Sequence, residues 1–306
     1  MSTLDPYTSG TRPAASGNTG LCIFRTDTNA IEVSDGTAWQ TYNSDGTLGW
    51  SGSNTYSLNF DGTDDYLTTS TIVTPTTTSG TISAWIKIPT TAGSALSPIY
   101  AWTDMNATSS TVKPMFVYRQ GKLRFYYQDG STVDIVEGDS TGLNDNSWHH
   151  VAVTSNGSSW AIYLDGSAET LTATAGSNSG NWVGDISAGT LTNTEIGASR
   201  RNAILGGSNF AVGGIDEVAV WDSALTAAQI TNIYKGESNG GSGGTNGTPG
   251  NLLTFNPKAW WTMGDGVEAG SGTTVYDMSG NSNNMTIVNA TGGTNTAGAD
   301  WDEDTP

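Results

Sequence analysis

Positive charge is scarce in this chain. Eleven Lys and Arg stand against 29 Asp and Glu in 306 residues, for a formal net charge of −18. Such a field repels phosphate backbones and anionic headgroups, so nucleic acid and membrane surfaces are not expected partners, whereas divalent cations are acceptable ones. The same acidity also serves solubility, by keeping densely displayed copies apart. Cysteine is nearly missing. Cys22 stands alone, which excludes an intrachain disulfide and leaves burial or assembly to hold the fold. No run of about 18 apolar residues occurs, and the opening MSTLDPYTSGTRPAASGNTG has no basic stretch followed by an apolar one. The expectation is a product of the cytoplasm, made without a signal peptide and without membrane insertion.

What is present is the texture of an all-β protein. Glycine numbers 40, charged residues make up only 13%, and Ser, Thr and Asn fill the gaps between short β-branched and aromatic runs. The length suits one domain of about 200 residues with smaller appendages. Residues 1–20 have little to bury and are expected to be an extended leader. Within 21–50, three short strands (21–26, 30–34 and 37–42) read as a β-meander, with Asp35-Gly36 as a two-residue hairpin turn. Three such strands cannot stabilise themselves, so Ile23, Ile31, Val33 and Trp39 need another surface. That surface is the main domain, copies from other chains, or a different protein; a disordered leader favours the last two and makes these residues an anchor.

Across 51–236, strand-like runs recur at 56–60, 65–69, 81–88, 97–102, 114–119, 122–128, 132–137, 148–154, 159–164, 168–173, 191–196 and 210–221. Gln120-Gly121, Asp129-Gly130 and Asp165-Gly166 sit between them as hairpin turns, which makes the sheets mainly antiparallel. The pattern predicts an antiparallel two-sheet sandwich or jelly roll. One helix is expected at Ala227–Tyr234. Thr226 and Gln229 form its capping box, Gly236 stops it, and Ala227, Ile230 and Tyr234 face inward. Residues 237–251 read as a Gly/Ser-rich linker spanning roughly 20–25 Å as a coil. The segment 252–306 holds Trp260, Trp261 and Trp301, too many large apolar groups for a disordered tail and too few residues for a secure core, so it should dock on something.

Four motifs carry a resemblance: FDGTDDYL at 60–67, TISAWIKIP at 81–89, SWHHVAVTSNGSSWAIYLDG at 147–166 and GGIDEVAVWDSALTAAQITNIY at 213–234. Together, and in this order, they resemble the laminin-G-like jelly roll of the concanavalin A-like lectin/glucanase superfamily. Trp85, Trp148, Val151 and Val153 then read as core positions. The stretch 12–42 looks like a module at the start of many phage structural proteins. AWWTMGDGVEAGSGTTVYDMSGNSNNMTIVNA at 259–290 is similar to the opening strand and turn of laminin-G-like domains, and such segments also close marine phage proteins. In the family that opening precedes FDGxDDY, whereas here it follows. It could complete its own sandwich as a permuted strand, complete a neighbour's, or act as a separate tag.

Catalysis finds little support. A glycosidase needs two carboxylates about 5–5.5 Å apart for retention, and the Glu-x-Asp-x-x-Glu strand of glucanases is missing. Asp216 and Glu217 are neighbours and should point to opposite faces of a strand. His149 and His150, the only histidines, are adjacent too and cannot jointly hold a metal. The resemblance admits calcium at Asp61, Asp64, Asp65, Asp216 and Asp277, with turn-capping as the alternative role for these oxygens. Trp102, Tyr118, Tyr127 and Trp182 are glycan-platform candidates by residue type, as are Tyr126 and Trp160.

The expectation is a non-enzymatic surface protein of a tailed-phage virion, of marine phage or cyanophage type. It would be a fibre or appendage subunit or a head decoration, requiring no cofactor. Its partners would be other virion proteins, further copies of itself (a trimer by resemblance) and a host surface glycan. A carbohydrate-binding host-receptor adhesin is the first alternative and a glycan-degrading enzyme the second.

Overall fold

The computed structural model describes residues 54–74, 76–105, 114–187, 190–200, 209–263 and 273–288, with shorter stretches inside 6–42 and 301–306. Two antiparallel sheets face each other. One has nine strands in the order Leu171–Ala175, Thr132–Gly138, Lys122–Asp129, Met115–Arg119, Ser97–Thr103, Asn193–Ile196, Tyr66–Thr69, Met285–Val288 and Thr274–Val275. The other runs Ser167–Ala168, Trp160–Leu164, Trp148–Ser155, Gly80–Lys87, Val212–Trp221, Ser57–Asp61 and Trp301–Asp302, with Ala259–Trp261 paired to Val212–Trp221 as its eighth strand. The hairpins turn where positive φ is tolerated: Gln120 and Gly121 at 54° and 81°, Asp165 and Gly166 at 47° and 74°. Asp35-Gly36 lies outside the described residues.

Alternation along each strand fills the space between the sheets. Ile82, Ala84 and Ile86 from the smaller sheet meet Tyr100, Trp102, Phe116, Tyr118, Phe125 and Tyr127 from the larger. Trp85 has the opposite phase. It is buried, but on the outer face, where its ring stacks on Tyr234 at 5.8 Å. The expected inward role fails because this sheet is covered on both sides. The helix Ala227–Tyr234 lies across its outer face, with the Thr226–Gln229 capping box formed and Ile230 and Ile233 buried, while Ala227 is exposed. Ile230 and Ile233 join Trp221, Leu252, Phe255 and Trp260 in a second apolar cluster.

Residues 237–251 do not run as an extended coil. Gly247 donates to the Tyr234 carbonyl at 3.1 Å, Gly244 to Glu237 Oε1 at 2.9 Å and Asn239 to Thr254 Oγ1 at 3.0 Å, which folds the stretch back against the helix. The chain beyond it then enters the sandwich. Ala259–Trp261 pairs with Val218–Val220, and Met285–Val288 pairs with Tyr66–Thr68. Trp260 and Trp261 are both fully buried and, being adjacent on a strand, point to opposite faces: Trp261 into the main core, Trp260 into the helix-side cluster. Their gross burial is worth on the order of 5 kcal/mol per ring. The docking surface sought by this segment is its own sandwich. Trp301 extends the Ser57–Asp61 edge, opposite Leu58; its side chain is outside the described residues.

The N-terminal strands Cys22–Arg25, Ala30–Ser34 and Trp39–Tyr42 pair antiparallel, with Pro6–Tyr7 added in parallel. Ile23 is fully buried. The side chains of Ile31, Val33 and Trp39 lie outside the described residues.

Candidate functional site

The helix and the 249–255 segment cover only part of the smaller sheet's outer face. Where they stop, one row of residues crosses four strands: Asn59 opposite Gly214, Gly214 opposite Lys87, and Lys87 opposite Trp148. Cross-strand neighbours share a face, so an amide, an ammonium and an indole flank a position with no side chain. A Cβ on Gly214 would come within 2.7 Å of the Trp148 ring, and one on Gly213, at φ 102°, would collide with the Lys87 carbonyl. The two glycines keep the floor low. The result is an open cleft of about 380 Å³, rimmed also by Asp61 and Asn146. Trp148 is half-buried there rather than in the core. Its place at the mouth of a strand, after the turn Asn144-Asp145-Asn146, was the available sequence signal.

Asp61 links the cleft to an acidic turn. Ligand oxygens of Asp61, Asp64 and Asp65 lie within 4.8 Å of one another. Asp61 Oδ1 accepts from the Thr63 amide at 2.7 Å, and Asp65 Oδ2 accepts from the Asp61 amide at 3.0 Å, so these two also brace the turn. Asp64 does not. It is 5% exposed, and neither of its oxygens has a hydrogen-bond partner among the described residues. A buried carboxylate without a donor, as at Asp64, costs several kcal/mol, and the three clustered carboxylates, of which Asp61 is exposed, fit a hard divalent cation bound through oxygen.

The other two aspartates do different work. Asp277 accepts four hydrogen bonds, from the amides of Trp260, Ser279 and Asn283 and from the Asn283 side chain. It organises the turn that delivers the Trp260 strand, so its oxygens cap that turn. Asp216 is fully buried, accepting from Asn54 Nδ2 at 2.9 Å and from the Glu217 amide at 2.7 Å. The expectation that Asp216 and Glu217 diverge is wrong. A bulge with Glu217 at φ 51° turns both carboxylates toward the Asn54 amide, and Glu217 also accepts from the Trp260 indole at 2.6 Å. The five aspartates therefore do not form one centre.

The aromatic candidates are core. Trp102 and Trp182 are fully buried, and Tyr118 and Tyr127 are 1% and 2% exposed. Trp182 stacks on Phe125 at 5.1 Å and meets Trp102 edge-on at 5.4 Å. Trp102, Tyr118 and Tyr127 occupy the inward phase of their strands, Trp182 enters the core from the start of the short helical turn Val183–Asp185, and Trp160 is buried with them. Tyr126, one position out of that phase, is half-exposed on the opposite face.

His150 Nε2 lies 2.8 Å from Ser83 Oγ, which has the form of a nucleophile and base, but both are buried beneath Trp85 and Tyr234. Burial pushes the His150 pKa down to about 4. His149 faces water between Asp165 and Asp145, and its hydrogen bond to Asp165 at 2.9 Å is the main cause of a raised pKa.

A family model described as the concanavalin A-like lectin/glucanases superfamily, of laminin-G type, matches residues 61–231. No curated protein matches the sequence. Among solved structures, a heptameric SAP-like pentraxin from Limulus polyphemus is 19% identical with a TM-score of 0.44, covering 59% of this chain and 82% of that one. The CBM40 of a Ruminococcus gnavus IT-sialidase, bound to α2,3-sialyllactose, is 12% identical with a TM-score of 0.48, covering 58% and 95%. A candidate carbohydrate binding protein from Bacteroides ovatus is 18% identical with a TM-score of 0.49, covering 79% and 59%.

Proposed function

Because the chain belongs to the concanavalin A-like lectin/glucanase superfamily, we propose that it is a non-catalytic saccharide-recognition protein whose binding surface is the Trp148 cleft. The carrying observation is the row Asn59, Gly214, Lys87 and Trp148. An indole face accepts the C–H side of a sugar ring, and amide, ammonium and carboxylate groups around it match hydroxyls. Asp61, Asp64 and Asp65 would hold a divalent cation such as calcium at the rim, where it could accept sugar hydroxyl oxygens and neutralise the turn. Asp216 and Glu217, the adjacent acidic pair, are buried.

The test is a glycan array with the full chain, followed by calorimetry on any glycan retained. Trp148→Ala is expected to weaken binding at least tenfold while leaving the melting temperature within a few degrees. An array with no retained glycan, or a Trp148→Ala protein that binds like the parent, would overturn the reading. Release of sugars from a retained polysaccharide would overturn its non-catalytic part.

The setting we infer is the surface of a tailed-phage particle, as a fibre or appendage subunit or a head decoration. The resemblance of residues 12–42 to phage structural modules supports it, and a trimer is the expected assembly. Mass spectrometry of purified particles that lack the chain, or a monomer by light scattering, would remove this part and leave saccharide recognition standing.

A further inference from the structure

The outer face of the nine-stranded sheet concentrates what the chain has least of. Leu123, Phe125 and Tyr127 enter the core, so Lys122, Arg124 and Tyr126 project outward. Arg119 joins them from the neighbouring strand, opposite Lys122. Three of eleven cations thus stand together on a protein of net charge −18.

Their partners do not match them in number. Glu137 is shared by Lys122 Nζ at 2.9 Å and Arg124 Nη2 at 2.8 Å. Arg119 has no ion pair among the described residues; its Nη1 donates to the Tyr126 hydroxyl at 3.3 Å, where Arg124 Nη1 also donates at 3.5 Å. Two guanidiniums are therefore gathered on one neutral oxygen, and the Nε of each is buried without a hydrogen-bond partner among the described residues. Like charges held this way repel, and an anion that bridged them would relieve the repulsion. Beside them Ala101, Met115 and Val117 form a buried apolar patch against which Tyr126 packs. The segment 106–113, which precedes the Met115–Arg119 strand in sequence, contains no Asp or Glu.

We propose that this face is a second binding site, which takes the acidic group of an anionic saccharide, a carboxylate or a sulfate ester, between Arg119 and Arg124, with the sugar ring against Tyr126. Only the saccharide part rests on the proposed function; the anion subsite stands on its own geometry. A guanidinium pair recognises planar carboxylate and tetrahedral sulfate alike through forked hydrogen bonds.

The experiment titrates the full chain with three polysaccharides: polygalacturonate for the carboxylate, a sulfated glycosaminoglycan for the sulfate, and neutral dextran as control. Binding to at least one acidic polymer is expected, weakening as salt rises. Arg119→Gln should reduce it at least tenfold, and Arg119→Lys, which keeps the charge but loses the fork, should fall between. Trp148→Ala should leave acidic binding unchanged, whereas Arg119→Gln should leave any glycan bound by the cleft unchanged, so the two sites fail separately. A melting curve checks that each variant folds; if Arg119→Gln does not, Tyr126→Phe tests the same site. Indifference of both acidic polymers, or equal binding by parent and variants, overturns the proposal. Binding to anionic vesicles or single-stranded DNA as tight as to the acidic polymers overturns the saccharide assignment.

Discussion

At the scale of single residues, buried ionisable groups make the sharpest claims. His150 is neutral when folded and has its pKa pushed down to about 4 by burial, while the unfolded chain protonates it near 6.5. Between those values the unfolded state binds more protons, so stability falls as pH falls through this window, by on the order of 3 kcal/mol, and no further below it. His149 has the opposite sign. Its raised pKa contributes stability that is present below about 6.5 and lost as pH rises through the folded value. Urea titrations from pH 7.5 to 4.5, with an NMR titration of both imidazoles, check this: His149 should titrate and His150 should stay silent above pH 5. Asp64 gives a second expectation. If a divalent cation occupies the turn, terbium luminescence should appear on mixing, sensitised by Trp148, and Asp64→Asn should abolish it. Without cation, Asp64→Asn should raise the melting temperature, because it removes a buried charge with no donor.

At the scale of elements, turns and caps were legible in the sequence because each has a local cause. Gln120-Gly121 and Asp165-Gly166 adopt the left-handed backbone that a tight hairpin needs, and Thr226 with Gln229 closes the helix start. Phase was not legible. Trp85 and Trp102 both sit in apolar runs, and only the helix lying over one sheet decides that Trp85 faces outward from the core while Trp102 faces in. The same blindness hid the cleft, since Trp148 reads as one more core tryptophan until Gly214 is placed beneath its ring. The bulge at Glu217 was hidden for another reason: a non-glycine residue at positive φ leaves no mark in composition. Two substitutions test the element account by denaturant unfolding. Thr226→Ala should cost about 1 kcal/mol through the lost cap. Trp261→Ala, which opens a cavity between the sheets, should cost about 3–5 kcal/mol.

At the scale of the molecule, the acidic surplus is a load on the compact state. Self-repulsion at −18 is screened as ionic strength rises. The melting temperature is therefore expected to rise by a few degrees between 20 and about 300 mM sodium chloride; a fall over that range would show that specific surface ion pairs outweigh the repulsion. The anion-binding face should respond in the reverse direction, losing affinity over the same interval.

The placement of Trp260 and Trp261 also sets a timetable. The strands that seat them are neighbours of Val218–Val220 and Tyr66–Thr68, translated much earlier. Until residue 288 has left the ribosome, the growing polypeptide exposes two unfilled grooves lined with apolar side chains, so closure is an event of late synthesis and not of its middle. Nascent chains halted near residue 250 should be protease-sensitive and chaperone-bound, and should become resistant once the last strands are supplied.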